Sequence, residues 1–200
     1  QGELGFKWRS NHFSIATTAF WSQLKNIGVS DFVFDDNTNS VFYTPVQFNN
    51  SRTIGLEWET AYTPTMDLTF RFNGVLQDPK ATKWNVYDAA GSIDTADDTV
   101  TSYADNTLPF NPKVMFNLSA EYQKNNFNAF VKWNFMGERE GNVANAFQLA
   151  SYSIFNAGIG YTINKNLSVN ALATNIFASE GLANFFGANS FVSTTFPTVT

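Results

Sequence analysis

The amino-acid sequence predicts an all-β fold, an antiparallel transmembrane β-barrel. Apolar residues recur at every second position over segments of barrel-strand length, so each segment has an oily side and a wet side. Short polar turns alternate with long polar, acidic or aromatic connections, which is how outer-membrane barrels are punctuated. Composition agrees. Aromatics make up 16% of the chain and charged residues 14%, against about 25% charged in a soluble domain. Mean hydropathy is only −0.20, as an apolar outside around a polar inside would give. No run of about 18 apolar residues marks a transmembrane helix.

The reading gives about eight strands. The first lies near 2–10, with Leu4, Phe6 and Trp8 outward and Glu3, Lys7 and Arg9 inward. The second spans about 12–26, with Phe13, Ile15, Thr17, Ala19 and Trp21 on one face. The third, about 50–62, turns Ile54, Leu56, Trp58 and Tyr62 to lipid. The fourth, about 66–78, has Leu68, Phe70, Phe72 and Leu76 outward and Asp67, Thr69, Arg71 and Asn73 inward. The fifth, 111–122, sets Val114, Phe116, Leu118, Ala120 and Tyr122 against Lys113, Met115, Asn117, Ser119 and Glu121. After a turn, the sixth sets Phe127, Ala129, Val131, Trp133 and Phe135 against Asn128, Phe130, Lys132, Asn134 and Met136. The seventh, about 148–162, turns Phe155, Ala157, Ile159 and Tyr161 outward. The eighth, about 166–177, sets Leu167, Val169 and Ala171 against Ser168, Asn170 and Thr174.

Four connections are short: Ser10-Asn11, Thr63-Pro64-Thr65, Lys124-Asn125-Asn126 and Asn164-Lys165-Asn166. They use the Asn, Ser and Pro chemistry of tight turns. Four are long, near 27–49, 79–110, 137–147 and 178–200, and are expected outside the cell, opposite periplasmic short turns. Aromatics near strand ends (Trp8, Trp21, Tyr62, Tyr122, Trp133 and Tyr161) suit interfacial girdles. By this sidedness the first strand begins outside and the eighth ends outside. A complete even-stranded barrel has both termini in the periplasm, so the expectation is one domain over 1–200 that is part of a larger barrel, lacking plug and last strand.

Particular residues resemble a known family. Leu108-Pro109-Phe110-Asn111-Pro112-Lys113, with the strand ending Ala120-Glu121-Tyr122, looks like late strands of TonB-dependent outer-membrane receptors. So does Phe155-Asn156-Ala157-Gly158-Ile159-Gly160-Tyr161, followed by Leu167-Ser168-Val169-Asn170-Ala171 and Asn175-Ile176-Phe177. Gly2-Glu3-Leu4-Gly5-Phe6-Lys7 resembles a mid-barrel hairpin of the same family. The resemblance implies a bacterial outer-membrane protein with a barrel of about 22 strands around a plug. It implies uptake of a siderophore, cobalamin or oligosaccharide, driven by TonB through an N-terminal region absent here. The expected partners are outer-membrane lipid and lipopolysaccharide, the remainder of the barrel and plug, TonB, and a surface lipoprotein.

The net charge of −5 argues against nucleic acid as a partner. Six loop aromatics are the candidate ligand-binding residues: Phe42, Tyr43, Trp84, Tyr87, Phe185 and Phe186. Their faces can stack on sugars or siderophore rings, and they can equally pack loops together. Loop carboxylates Asp31, Asp35, Asp36, Asp88, Asp94, Asp97, Asp98 and Asp105 could bind Ca²⁺. They lack EF-hand spacing, so solvated loops or divalent bridging to lipopolysaccharide are expected instead. Inward Glu57, Glu59, Arg71, Lys113, Glu121 and Lys132 are expected to form a hydrogen-bonded wall. Gly158 and Gly160 are expected to make room for a neighbouring side chain. No cysteine, a single histidine (His12, at a turn) and no nucleophile elbow leave no catalytic constellation. No enzyme activity, cofactor or metal site is expected.

The rival readings are a small autonomous eight-stranded barrel with an adhesive or structural role, an outer-membrane barrel enzyme, and a soluble β-sandwich. The sandwich would bury its apolar face in a core.

Overall fold

The computed structural model describes residues 1–181, and they form no helix. The strands are β1 (Gly2–Arg9), β2 (Phe13–Val29), β3 (Phe32–Asp35), β4 (Ser40–Tyr43), β5 (Gln47–Thr65), β6 (Leu68–Lys83) and β7 (Asn85–Asp88). They continue with β8 (Thr99–Ser102), β9 (Val114–Lys124), β10 (Phe127–Met136), β11 (Arg139–Glu140), β12 (Gln148–Leu149), β13 (Tyr152–Asn164) and β14 (Leu167–Ala173). Eight of them make one sheet in the order β1-β2-β5-β6-β9-β10-β13-β14. Every pairing is antiparallel between neighbours, so the sheet is a meander. The two outermost strands, β1 and β14, do not pair with each other among the described residues.

Register carries the alternation of each strand into rows across the sheet. Leu4, Ala19, Leu56, Leu76 and Val114 stand opposite one another on five strands. So do Thr60, Phe72, Leu118, Trp133 and Phe155. These rows make the apolar face. Aromatic rings pack into a ribbon along it: Trp58–Phe72, Phe72–Phe116, Phe116–Trp133, Trp133–Phe155 and Phe155–Phe177 lie 4.8–5.8 Å apart. Near the short turns, Trp8 meets Phe13, Tyr62 meets Phe70, and Tyr122 meets Phe127.

This face covers no core. The apolar residues buried among those described are Ala81, Ala89, Val143 and Leu149, all beyond the alternating rows. Leu4, Phe6, Leu56, Leu76, Val131, Ile159 and Val169 are exposed, Leu4 by 79%. A soluble protein would not leave such an area bare, and a second sheet packed on it, as a sandwich requires, is absent among the described residues. A lipid-facing wall explains the exposure.

Three expectations change. The turn expected at Thr63-Pro64-Thr65 lies instead at Met66-Asp67, because β5 runs on to Thr65. Pro64 has no N–H to give a ladder, and it falls where the β5–β6 register shifts between Tyr62 and Thr65. The long connections are also less irregular than expected. β2 reaches Val29 and β6 reaches Lys83, and β3–β4, β7–β8 and β11–β12 are small two-stranded sheets within the first three loops. Finally, the seventh strand divides into β12 and β13, and the eighth ends at Ala173.

Candidate functional site

The polar face and the hairpins above it are the parts of the fold equipped to meet a solute. On the polar face, Lys7, Ala16, Glu59, Asn73, Asn117 and Asn134 form one row. Arg9, Ser14, Ala61, Arg71, Ser119, Lys132 and Asn156 form the next. An asparagine ladder runs along the first row and steps to Asn156 in the next. Asn117 Nδ2 donates to Asn73 Oδ1 at 2.9 Å, Asn134 Nδ2 donates to Asn117 Oδ1, and Asn156 Nδ2 reaches Asn134 Oδ1 at 3.5 Å. The Asn175 N–H closes on Asn156 Oδ1 at 3.0 Å. Amides suit this role because each carries both a donor and an acceptor. Beside the ladder, Arg71 Nε lies 3.7 Å from Glu121 Oε2, and the Lys132 ammonium stands 5.2 Å from the centre of the Phe130 ring. A cavity of about 770 Å³ at the short-turn end is lined by residues that include Lys7, Arg9, His12, Glu59 and Arg71.

The inward glycines accommodate neighbours. A Cβ built on Gly158 would come within 2.5 Å of the Phe130 ring, and one on Gly160 within 2.5 Å of Asn170 Oδ1. His12 is a turn clamp: its Nδ1 lies 2.9 Å from the Thr63 carbonyl, and the Thr63 N–H donates to the His12 carbonyl.

Above the sheet, buried asparagines tie the loops down. Asn49 is fully buried. Its Oδ1 accepts from the Asn85 N–H at 2.8 Å and its Nδ2 donates to the Asn85 carbonyl at 3.2 Å, so β7–β8 is clamped to β5. Asn145, at φ 54°, does the same for Thr107: Oδ1 accepts from its N–H and Nδ2 donates to its carbonyl, both at 2.9 Å. Asn106 Nδ2 donates to the Val143 carbonyl at 2.9 Å. These clamps hold the second and third long connections together.

The expected ligand residues are distributed as follows. Tyr43 is 78% exposed and pairs with Phe32, while Phe42 pairs with Val33 on the other side of β3–β4. The side carrying Tyr43 also exposes Phe32, Phe34 and Val41. Trp84 lies between β6 and β7, and its carbonyl accepts from the Tyr103 N–H at 2.7 Å. The Tyr87 hydroxyl donates to Asp98, which raises the Tyr87 pKa above its ordinary value of 10.0. Phe185 and Phe186 lie outside the described residues. Asp31, Asp35, Asp88 and Asp94 act as acceptors in their own turns. Asp35 takes bonds from the Asn37 N–H and the Thr38 hydroxyl, which hold its pKa below the ordinary value, and Asp94 takes one from the Ala96 N–H.

Sequence reasoning missed Phe32 and Phe34, whose alternation was hidden in a segment read as loop. It also missed Arg139. That residue is buried, with its guanidinium 5.6 Å from the Tyr152 ring centre and its Nε and Nη2 lacking acceptors. The Glu140 carboxylate beside it accepts from Gln148 Nε2 at 2.9 Å through Oε1, while its buried Oε2 has no donor.

Comparison with known proteins follows the same lines. Residues 1–176 match the family model for the TonB-dependent receptor-like β-barrel. No curated protein matches the chain. Among solved structures, the siderophore receptor PiuA from Acinetobacter baumannii superposes with a TM-score of 0.70 at 20% identity, over 93% of this chain and 25% of PiuA. The ferric-catecholate import receptor Fiu from E. coli K12 gives 0.62 at 19% identity, over 91% and 24%. The ferric yersiniabactin uptake receptor FyuA from Yersinia pestis gives 0.63 at 13% identity, over 88% and 24%. The chain spans about a quarter of the length of these structures. At such identities the likeness is one of fold.

Proposed function

Because the chain belongs to the TonB-dependent receptor-like β-barrel family, we propose that it builds wall and rim of a transporter that takes up a scarce solute. Its place is the outer membrane of a Gram-negative cell. The observation that carries the proposal is the two-faced sheet: a mainly apolar side suited to lipid, a hydrogen-bonded polar side suited to a filled lumen, and anchored aromatic hairpins above. The long connections are the extracellular docking loops. Phe42, Tyr43, Trp84, Tyr87, Phe185 and Phe186 are the proposed ligand contacts, and the exposure of Tyr43 beside Phe32 supports the first hairpin in that role. A plug would rest against the asparagine ladder and its flanking charges, and TonB would act on the plug. The family is one of receptors and transporters rather than enzymes.

The ligand classes to test are siderophores, cobalamin and oligosaccharides. Ferric siderophores come first, because PiuA, Fiu and FyuA carry such names. The experiment titrates each class into the full-length protein and follows tryptophan fluorescence. One class should bind in the micromolar range or tighter, and Tyr43→Ala with Trp84→Ala should weaken it about tenfold, the loss expected for about 1.4 kcal/mol of stacking. Unchanged affinity in both variants would remove these residues from the site.

The autonomous eight-stranded barrel would require β1 to pair with β14, and no observation favours that pairing.

A further inference from the structure

The chain has three methionines, and two of them stand side by side. Met115 on β9 and Met136 on β10 are direct cross-strand partners. They share the polar face, since each lies two residues from a ladder amide, Asn117 or Asn134. Their row continues through Val75 to Glu57 on one side and to Tyr152 on the other. Met136 ends β10, so the pair is the last rung of the inner wall before the third loop. The third methionine, Met66, is fully exposed at the tip of a short turn.

Both side chains are half-buried, and Met115 lines a cavity of about 700 Å³ on the polar face. The charged residues lining that cavity are Glu57, Glu59 and Lys7, so carboxylates outnumber ammonium there. None of the three has an ion-pair partner among the described residues. Sheet stability gives no reason for a methionine pair, because strands favour β-branched and aromatic side chains. Methionine also fills uneven gaps, but a gap filler is enclosed, whereas Met115 borders a cavity. His, Cys and carboxylate spacing, from which no metal site is expected, takes no account of thioethers.

The geometry points to a thioether site for a soft, monovalent metal ion of the Cu(I) class, held between the sulfurs of Met115 and Met136. Thioether sulfur is a soft donor that selects such ions over Ca²⁺, Mg²⁺ and Mn²⁺. It has no proton to lose, so binding forms two sulfur–metal bonds, releases water and changes no oxidation state. Paired strands hold opposite Cβ atoms about 4.5–5.5 Å apart, and the unbranched, flexible side chains let both sulfurs close on one ion. Glu57 and Glu59 draw a cation to this part of the wall. Arg139, on the Tyr152 ring beyond Met136, repels a doubly charged ion more than a singly charged one. The site stands on the strands, apart from the loop aromatics, and does not depend on their role in docking a solute.

The test uses the full-length protein in mild detergent, with isotope-labelled methionine methyl groups, stripped by a chelator and titrated with Ag(I), a redox-inert stand-in for Cu(I). The NMR methyl signals of Met115 and Met136, assigned with M115L and M136L, should shift together, and that of Met66 should stay in place. By equilibrium dialysis M115L/M136L should bind one equivalent of Ag(I) fewer than the wild type. Either single variant should weaken that equivalent about tenfold or more, and M66L should leave it unchanged. Leucine nearly conserves the volume, and heat-modifiable gel mobility establishes that each variant is folded. Unshifted Met115 and Met136 signals overturn the proposal, as does an undiminished silver count in the double variant. Displacement of the ion by Ca²⁺ would assign it to the carboxylates and also overturn the proposal. Tyr43→Ala and Trp84→Ala should bind Ag(I) as the wild type does, so failure here is distinguishable from failure of the uptake reading.

Discussion

At the residue scale, neighbours in sequence face opposite solvents. Ala19 lies between Leu4 and Leu56 on the apolar face, and Thr18 lies opposite Glu57 on the polar one. A lysine should separate them sharply. Ala19→Lys places a charge in hydrocarbon and should cost about 2–4 kcal/mol, whereas Thr18→Lys gains Glu57 as a partner and should cost less than about 1 kcal/mol. Denaturant titration of the full-length protein refolded into lipid vesicles measures both, and equal costs would contradict the assignment of faces. This assignment was legible in the sequence because a period of two needs no knowledge of the partner strand. The clamp by Asn49 was not legible. An asparagine in a strand reads as a weak strand former, and its value lies in a backbone 36 positions away.

At the scale of the element, long strands announced themselves and short ones did not. β9 and β10 emerged close to their expected limits because eleven and ten residues of alternation fill them. β3, β4, β7 and β8 have four residues each, too few for a pattern to stand out among Asp, Thr and Asn. The turn at Met66 was missed for a chemical reason. Thr-Pro-Thr looks like a turn, whereas methionine does not, yet Met66 is fully exposed at the tip. The hairpin β7–β8 should depend on its anchor. Asn49→Ala leaves the Asn85 N–H and carbonyl without partners, which should cost about 1–3 kcal/mol. Limited proteolysis should then cut 89–98 faster than in the wild type, with the short turns unaffected. An unchanged cleavage rate would mean the hairpin is held by its own ladder alone.

For the whole molecule, the assignment of the apolar face to lipid makes an optical prediction. Trp8, Trp21, Trp58 and Trp133 lie on that face, and Trp84, the last of the five tryptophans, lies among the loops. Reconstitution of the full-length protein in brominated lipid should quench the sheet tryptophans and spare Trp84, so Trp84→Phe should remove part of the unquenched emission. Emission unaffected by bromine would refute a membrane wall. The asparagine ladder has a consequence for assembly of that wall. Alternation forbids a strand from sliding by one residue, since every side chain would change sides, but it tolerates a slide of two. Such a slide would set Asn117 against Arg71 or Val75 rather than Asn73, and Asn134 against Ser119 or Met115. Across β6, β9 and β10 the amides Asn73, Asn117 and Asn134 meet in one alignment only. There the ladder proofreads the sheet against the one error that its hydrophobic pattern cannot detect.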